Sequence, residues 1–327
     1  MKMLSIVAIT LLVVSTSSFS SPATKSITNN QSNYEQKTKS KTKEVGNVLI
    51  LDHLNINHEK GRHDLLKSFY FDFLNCGVDP RKAENLSKGR KTLWANIGCQ
   101  QFHLPEGTPE AQILDGQITL VFSSLEPFKE RYDSFKNGIL KESLFHLEEV
   151  SFSGDNKIEC LQVTDPWGND FRLVSDPELQ YKDSRGSQPG EQDENGVAMI
   201  DLTLHVAPTS NFEGIGRFYE KVLGAPVLSC TENSCVIKVG PNQSLSFVGK
   251  SHADGRVIQH ESMVSTDEDD EYESNYGPHV SMYVKDLRTA YRKAKEIGAL
   301  YVNPRFKRRA FTEEEEKQEI NTNLVLS

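Results

Sequence analysis

The sequence predicts an α+β fold built from four copies of one unit, a β-strand followed by an amphipathic helix and then by further short strands. Three observations carry this prediction. Four β-like runs recur, at Val48–Asn57, Gln117–Phe122, Met199–Val206 and His279–Val284. Behind each comes an apolar stripe at helical spacing: Leu66, Phe69, Tyr70, Phe73 and Leu74; Leu125, Phe128, Tyr132 and Phe135; Ile215, Phe218, Tyr219, Val222 and Leu223; Leu287, Ala290, Tyr291, Ala294 and Ile297. Each stripe stops near a glycine, Gly77, Gly138, Gly224 or Gly298, where a left-handed residue ends a helix at least cost. Ser123-x-x-Glu126 and Ser210-x-x-Glu213 read as capping boxes and Asp286 as a simple N-cap, so the start signals agree with the stop signals.

Before the first unit, Lys2, the apolar run Leu4–Val14 and the small residues Ser15–Ser18 have the layout of a secretory signal peptide over residues 1–20. The run is too short for a membrane span. Residues 21–47 are rich in Ser, Thr, Asn and Lys and nearly free of acids, a composition that does not pack, so they read as a disordered or transit-like segment. Ser17-Ser18-Phe19-Ser20-Ser21-Pro22 resembles the Phe-centred cleavage motif of two-part plastid presequences, which implies a plastid reached through the secretory route, with plain secretion or an endomembrane location as the alternative. A polar, aperiodic stretch over residues 178–196 reads as a linker. It divides the units two and two, into domains 48–177 and 197–327.

At 327 residues and 37% hydrophobic the chain can build about two cores. Its net charge is −9, and because residues 1–47 hold six Lys against two Glu (+4), the remainder stands at −13. An acidic body argues against nucleic acid as partner. Asp267–Glu273 reads as a solvated acidic loop and Asn85–Thr92 as a basic one. Five Cys without a CxxC pair indicate neither a disulfide framework nor a Cys-based zinc site; Cys230 and Cys235 flank a hairpin turn and read as two half-buried thiols.

Four segments together carry a family resemblance: Leu51-Asp52-His53-Leu54-Asn55-Ile56; Phe218-Tyr219-Glu220-Lys221-Val222-Leu223-Gly224; the run from Gly277 to Leu287; and Asp165-Pro166-Trp167-Gly168-Asn169. They resemble the glyoxalase / bleomycin-resistance / extradiol-dioxygenase superfamily, the vicinal oxygen chelate proteins. The resemblance implies tandem paired βαβββ modules whose sheets curl into two cups, with the site inside. It implies metal ligands on the first and last strands of each module, where a cation polarises two neighbouring substrate oxygens. Carried over, these positions are His53, His103, Gln117 and Arg172 in the first cup, and Asp201, Ser246 and His279 in the second.

Arg172 departs from the family, which has Glu there; a guanidinium cannot bind a cation and suits a carboxylate or phosphate instead. His53, His103 and Gln117 remain as candidate ligands for Zn²⁺, Ni²⁺ or Fe²⁺. Trp94, Phe102 and Trp167 are candidate lining residues, beside Arg172 as a substrate contact. Residues beyond Phe311 lack the Asp-Pro-x-Gly turn and a closing acidic strand, so the last module is expected to be incomplete. Two functions stay open. One is a metal-assisted lyase, isomerase or dioxygenase acting on a small oxygenated substrate. The other is a non-catalytic module that binds or sequesters a small molecule and has lost the metal, with His53, His103, Asp201 and His279 as polar residues lining a pocket.

Overall fold

In the computed structural model, which describes residues 8–9, 44–89, 92–106, 111–152, 158–176, 196–251 and 278–299, all four expected units are present in part or in full. Unit 1 comprises β2 (Val48–Asn55), α1 (His63–Leu66) running on as a π-helical turn (Lys67–Phe73), β3 (Gly77–Val78), α2 (Ala83–Lys88), β4 (Thr92–Ile97) and β5 (Gln100–Pro105). Unit 2 comprises β6 (Gly116–Phe122), α3 (Glu126–Asn137), β7 (His146–Phe152), β8 (Ile158–Thr164) and β9 (Asp170–Ser175). Unit 3 runs from β10 (Gly196–Val206) through α4 (Phe212–Phe218) and its π-helical continuation (Tyr219–Leu223) to β11 (Val227–Cys230), β12 (Ser234–Gly240) and β13 (Gln243–Gly249). Unit 4 contributes β14 (His279–Val284) and α5 (Leu287–Glu296). Its remaining residues, 300–327, and the presumptive linker lie outside the described residues, as does all of residues 1–43 except the two-residue strand β1 (Ala8–Ile9).

The strands form two open sheets, ordered β1-β14-β2-β5-β4-β3 and β11-β12-β13-β10-β6-β9-β8-β7. Here the two-and-two division read from the linker needs correction. The sheets do not join unit 1 to unit 2. They join unit 1 to unit 4 through the antiparallel pair β2–β14 and unit 2 to unit 3 through β6–β10. Helix packing follows sequence order instead: Phe73 of unit 1 meets Phe128, Phe135 and Phe145 of unit 2, and Lys293 on α5 donates to the Lys221 carbonyl of unit 3. The helices therefore hold each sequence half together while the sheets stitch one half to the other. Two buried amides add to the seam: Gln100 Oε1 accepts from Met199 N–H (3.1 Å), and the Gln243 amide bonds the Leu51 N–H (3.1 Å), the Leu51 carbonyl (3.2 Å) and the Met199 carbonyl (3.0 Å).

The helix stripes turn toward one hydrophobic core, with Phe69, Tyr70, Phe73, Tyr219 and Leu223 buried in it and Tyr132, Phe135, Ile215 and Phe218 packed partly buried against it, while Ile297 at the end of the fourth stripe is exposed. Their ends differ in detail from expectation. Gly224 and Gly298 are left-handed (φ 68° and 70°), whereas Gly138 is not, and the first helix stops through Asn75 at φ 55° rather than at Gly77. Asp286 caps α5 by accepting from Thr289 N–H (3.0 Å). The capping boxes do not form: Asn211, one residue after Ser210, accepts from Gly214 N–H (2.8 Å), and Ser124 rather than Ser123 bonds the Glu126 N–H (3.3 Å). The basic stretch after Asn85 is partly helical, since α2 spans Ala83–Lys88.

Cys230 and Cys235 are register partners on β11 and β12 and are joined as a disulfide, which corrects the reading of two free thiols. Closing so small a loop is worth about 2 kcal/mol in chain entropy. The remaining cysteines, Cys76, Cys99 and Cys160, are buried and unbridged.

The Phe73 ring, fully buried and touching aromatic side chains from α3 and from the loop after it, ties unit 1 to unit 2. Truncation to alanine is expected to lower unfolding free energy by about 3–5 kcal/mol in urea denaturation, the range for a buried phenylalanine. A loss below about 1 kcal/mol would show that the two helices do not pack this way.

Candidate functional site

Strand alternation puts every second side chain of β4, β5, β2 and β14 on one face of the six-stranded sheet. Register then sets two rows across it, Trp94–His103–Asn55–His279 and Asn96–Gln101–His53–Ser281. The opposite face, carrying Leu93, Ala95, Phe102, Leu104 and Leu54, is core. Phe102 is therefore a packing residue, in contact with Tyr70 and Phe171, and does not line the cup.

The His103 ring lies between Trp94 (centroids 4.3 Å apart, planes 10°) and His53 (3.7 Å, 20°). Over the Trp94 ring also stand the Arg81 guanidinium at 4.4 Å and the Lys82 ammonium at 4.7 Å. Arg81 is fixed by a two-point ion pair with Asp79, Nη2 to Oδ2 at 2.7 Å and Nε to Oδ1 at 2.9 Å. That pair, with Arg81 donating into it, draws the buried Asp79 carboxyl below its usual range. Asp79 also caps the short 3₁₀ turn Pro80–Lys82 by accepting from Arg81 N–H. Asp79, Arg81 and Gln101 are site residues that the family resemblance did not point to. The Asp-Pro pair, an N-cap with proline behind it, is the signal that could have placed the first two.

Hydrogen bonds decide the state of His103. Gln101 Nε2 donates to the Asp79 carboxylate and to Asn96 Oδ1, so its Oε1 faces His103 Nε2 (3.2 Å) and can only accept. The proton of His103 is thus on Nε2, and Nδ1 carries the lone pair. Burial, aided by the charges of His53, Arg81 and His279, pushes the His103 pKa down to about 2, so the ring is neutral at any physiological pH. His53 Nδ1 meets Asp52 Oδ2 at 2.9 Å.

Of the residues expected in the first cup, His53, His103 and Trp94 do come together, and His279, expected in the second cup, joins them. Gln117 and Arg172 do not. They lie on the eight-stranded sheet, because β6 pairs with β10 and not with β2. On that sheet Gln117 Nε2 donates to Gln162 Oε1 (3.1 Å), and Asp201 accepts from Thr203 Oγ1 (2.7 Å), Ser246 Oγ (2.8 Å) and Ser244 Oγ. Gln117 is therefore not a partner of the two imidazoles. Trp167 sits in the turn between β8 and β9, its Nε1 donating to Glu59 Oε2 (3.2 Å) and its ring beside His58.

That turn is a structural device. Asp165 Oδ1 accepts from the N–H groups of Trp167, Gly168 and Asn169 at 2.8–2.9 Å, and Asn169 reaches on to Leu114 N–H and the Gln112 carbonyl. Burial pushes the Asp165 carboxyl up to about 6 against these donors.

As a donor set, neutral imidazoles suit a borderline divalent cation. As arranged, however, His53 and His103 lie face to face, so their in-plane lone pairs run nearly parallel. Among the described residues no group of three His, Cys, Asp or Glu side chains is positioned to hold a metal ion. One ring must turn before both can meet the same cation.

No protein-family model and no curated protein matches the chain. Solved structures similar to it include glyoxalase I from Zea mays (13% identity, TM-score 0.43, covering 77% of this chain and 82% of that one). A proposed dioxygenase from Bacillus subtilis is similar at 12% identity and TM-score 0.40, covering 62% of this chain and 64% of the other. A lactoylglutathione lyase from Agrobacterium tumefaciens, 12% identical with a TM-score of 0.27, aligns over 40% of this chain and 96% of its own. The likeness is one of fold. What the site can do rests on its side chains.

Two histidines, His58 buried and His103 half-buried, give the fold a distinct acid sensitivity. His58 is lowered to about 4, first by burial and then by His63, and His103 to about 2, against about 6.5 when unfolded. Below pH 6.5 the unfolded chain takes up protons that the folded chain refuses, so stability falls as pH falls. Each group contributes up to about 1.4 kcal/mol per pH unit, His58 only down to about pH 4. Urea midpoints measured between pH 7 and 5 should drop, and His103→Gln should flatten the profile; an unchanged slope in that variant would contradict a neutral His103.

Proposed function

We propose that this chain is a glyoxalase-type small-molecule protein working from the β4–β5–β2–β14 face, with His53, His103 and His279 as candidate ligands for Zn²⁺, Ni²⁺ or Fe²⁺. The observation that carries this reading is the neutral His103, its lone pair left on Nδ1, with His53 stacked on it and His279 in the same row. A pKa near 2 makes His103 a poor proton acceptor at neutral pH, since a general base works best near the operating pH. The same neutrality makes it a good ligand, because no proton competes for the lone pair. A bound cation would polarise adjacent substrate oxygens, as required of a lyase, isomerase or dioxygenase acting on an oxygenated carbon skeleton. The chain's own contribution is a wall: Trp94 offers a flat apolar surface, and Arg81, held by Asp79, sets a fixed positive charge behind it.

The second reading is a non-catalytic binding module. The closed His53–His103–Trp94 stack favours it, since ring-on-ring packing already satisfies faces that a ligand would cover. We further propose that the chain passes through an oxidising lumen on its way to a plastid or outward. The Cys230–Cys235 bond supports that route, as disulfides persist where thiols are not held reduced.

Metal titration separates the two readings. Under the first, Zn²⁺ or Ni²⁺ at about 100 times Kd raises unfolding free energy by about 2.7 kcal/mol, and His53→Ala or His103→Ala removes that gain. If calorimetry and thermal melts detect no binding by the wild-type chain, the metal-assisted reading fails and the binding-module reading stands.

A further inference from the structure

The eight-stranded sheet carries a polar ladder that the proposed function does not use. Register pairs run continuously from Lys238 to Ser244, Asp201, Thr119, Arg172, Gln162 and Glu148 across seven adjacent strands, β12, β13, β10, β6, β9, β8 and β7. A row of seven polar side chains across a sheet is costly where it is buried unless it meets water or a ligand. Thr119 at its centre is buried, and Arg172, Gln162, Asp201 and Ser244 are half-buried. The sheet is drawn tight beside this row: a Cβ on Gly116 would lie 2.0 Å from the Thr203 carbonyl oxygen, so only glycine lets β6 approach β10 there.

Lys238 and Glu148 stand at the outer ends of the row, and between them two places one strand apart differ in chemistry. At Asp201 three hydroxyls, from Thr203, Ser244 and Ser246, spend their protons on the carboxylate. Their remaining lone pairs and the carboxylate charge make this wall an acceptor, suited to an ammonium group. At Arg172 the guanidinium stands beside Gln162, whose Oε1 is taken by Gln117 and whose amide N–H groups point the polarity the other way. That wall is a donor, suited to a carboxylate. One strand, carrying Thr119, separates them, which sets the two backbones roughly 10 Å apart and leaves a gap of a few atoms between the charged ends of the side chains.

We propose that this second face binds a small zwitterion, an amino carboxylate whose carboxylate meets Arg172 and Gln162 and whose ammonium meets Asp201 with its three hydroxyls. The site goes beyond the imidazole face and does not depend on it. It needs no metal.

Isothermal titration of the full chain with glycine, 4-aminobutyrate and 6-aminohexanoate, against butyrate and butylamine, tests this directly. At least one zwitterion is expected to bind about 10-fold or more tighter than either single-charge control, since each charged hydrogen-bonding end contributes on that scale. Arg172→Gln should reduce that ligand to the level of butylamine and Asp201→Asn to that of butyrate. His53→Ala should leave it unchanged, which keeps the outcome separate from that of the metal site. The wild-type series decides alone if a variant fails to fold. The proposal is overturned if no zwitterion binds, if butyrate or butylamine binds as tightly, or if His53→Ala abolishes binding.

Discussion

Each of the three units described through their closing strands lays its first strand beside its last, β2 with β5, β6 with β9 and β10 with β13, and so leaves the outer edge of the first strand bare. A bare edge is a row of unpaired N–H and C=O groups, which a folded chain must cover or pair. Here it is met by the first strand of another unit, running antiparallel, and which unit does so decides everything downstream. Because β2 takes β14 and β6 takes β10, residues 226 positions apart share a wall, as Leu54 and Val280 do in register, while neighbours in sequence such as His103 and Gln117 are assigned to different sheets. Helix contacts keep to sequence order, so the two sequence halves are bound twice over, within themselves by helix contacts, aromatic in the first half and the Lys293–Lys221 hydrogen bond in the second, and to each other by strands.

This arrangement explains what the sequence could and could not reveal. The strands and helices were legible because their signals are local: Phe69, Tyr70 and Phe73 at helical spacing, or Leu120, Val121 and Phe122 in a continuous apolar run, report their own burial. His53 and His103 were legible as a pair for a similar reason, since both belong to unit 1. Gln117 was misassigned and His279 was placed in the wrong set because partner choice at a strand edge is a long-range property that no local pattern encodes. The caps erred by one residue for another reason: serine, asparagine and aspartate compete for the same backbone donors, and the backbone angle at each position decides among them. Gly77 failed as a stop because Asn75 reached the left-handed region first.

The two polar faces show how differently one architecture can be furnished. On the first, planar groups stack from His53 to Arg81, and burial keeps His103 uncharged. On the second, opposite charges sit two strands apart in a field of hydroxyls and amides. Arg172 is the residue that sets them apart, because its guanidinium carries a fixed positive charge that donates and cannot ligate a cation.

Strand partnership can be read directly from backbone amide-to-amide Overhauser contacts in perdeuterated protein. The account predicts inter-strand contacts in the antiparallel registers Leu54–Val280 and Thr119–Asp201. Contacts linking β2 to β6, and β10 to β14, would contradict it and would return Gln117 to the side of His53.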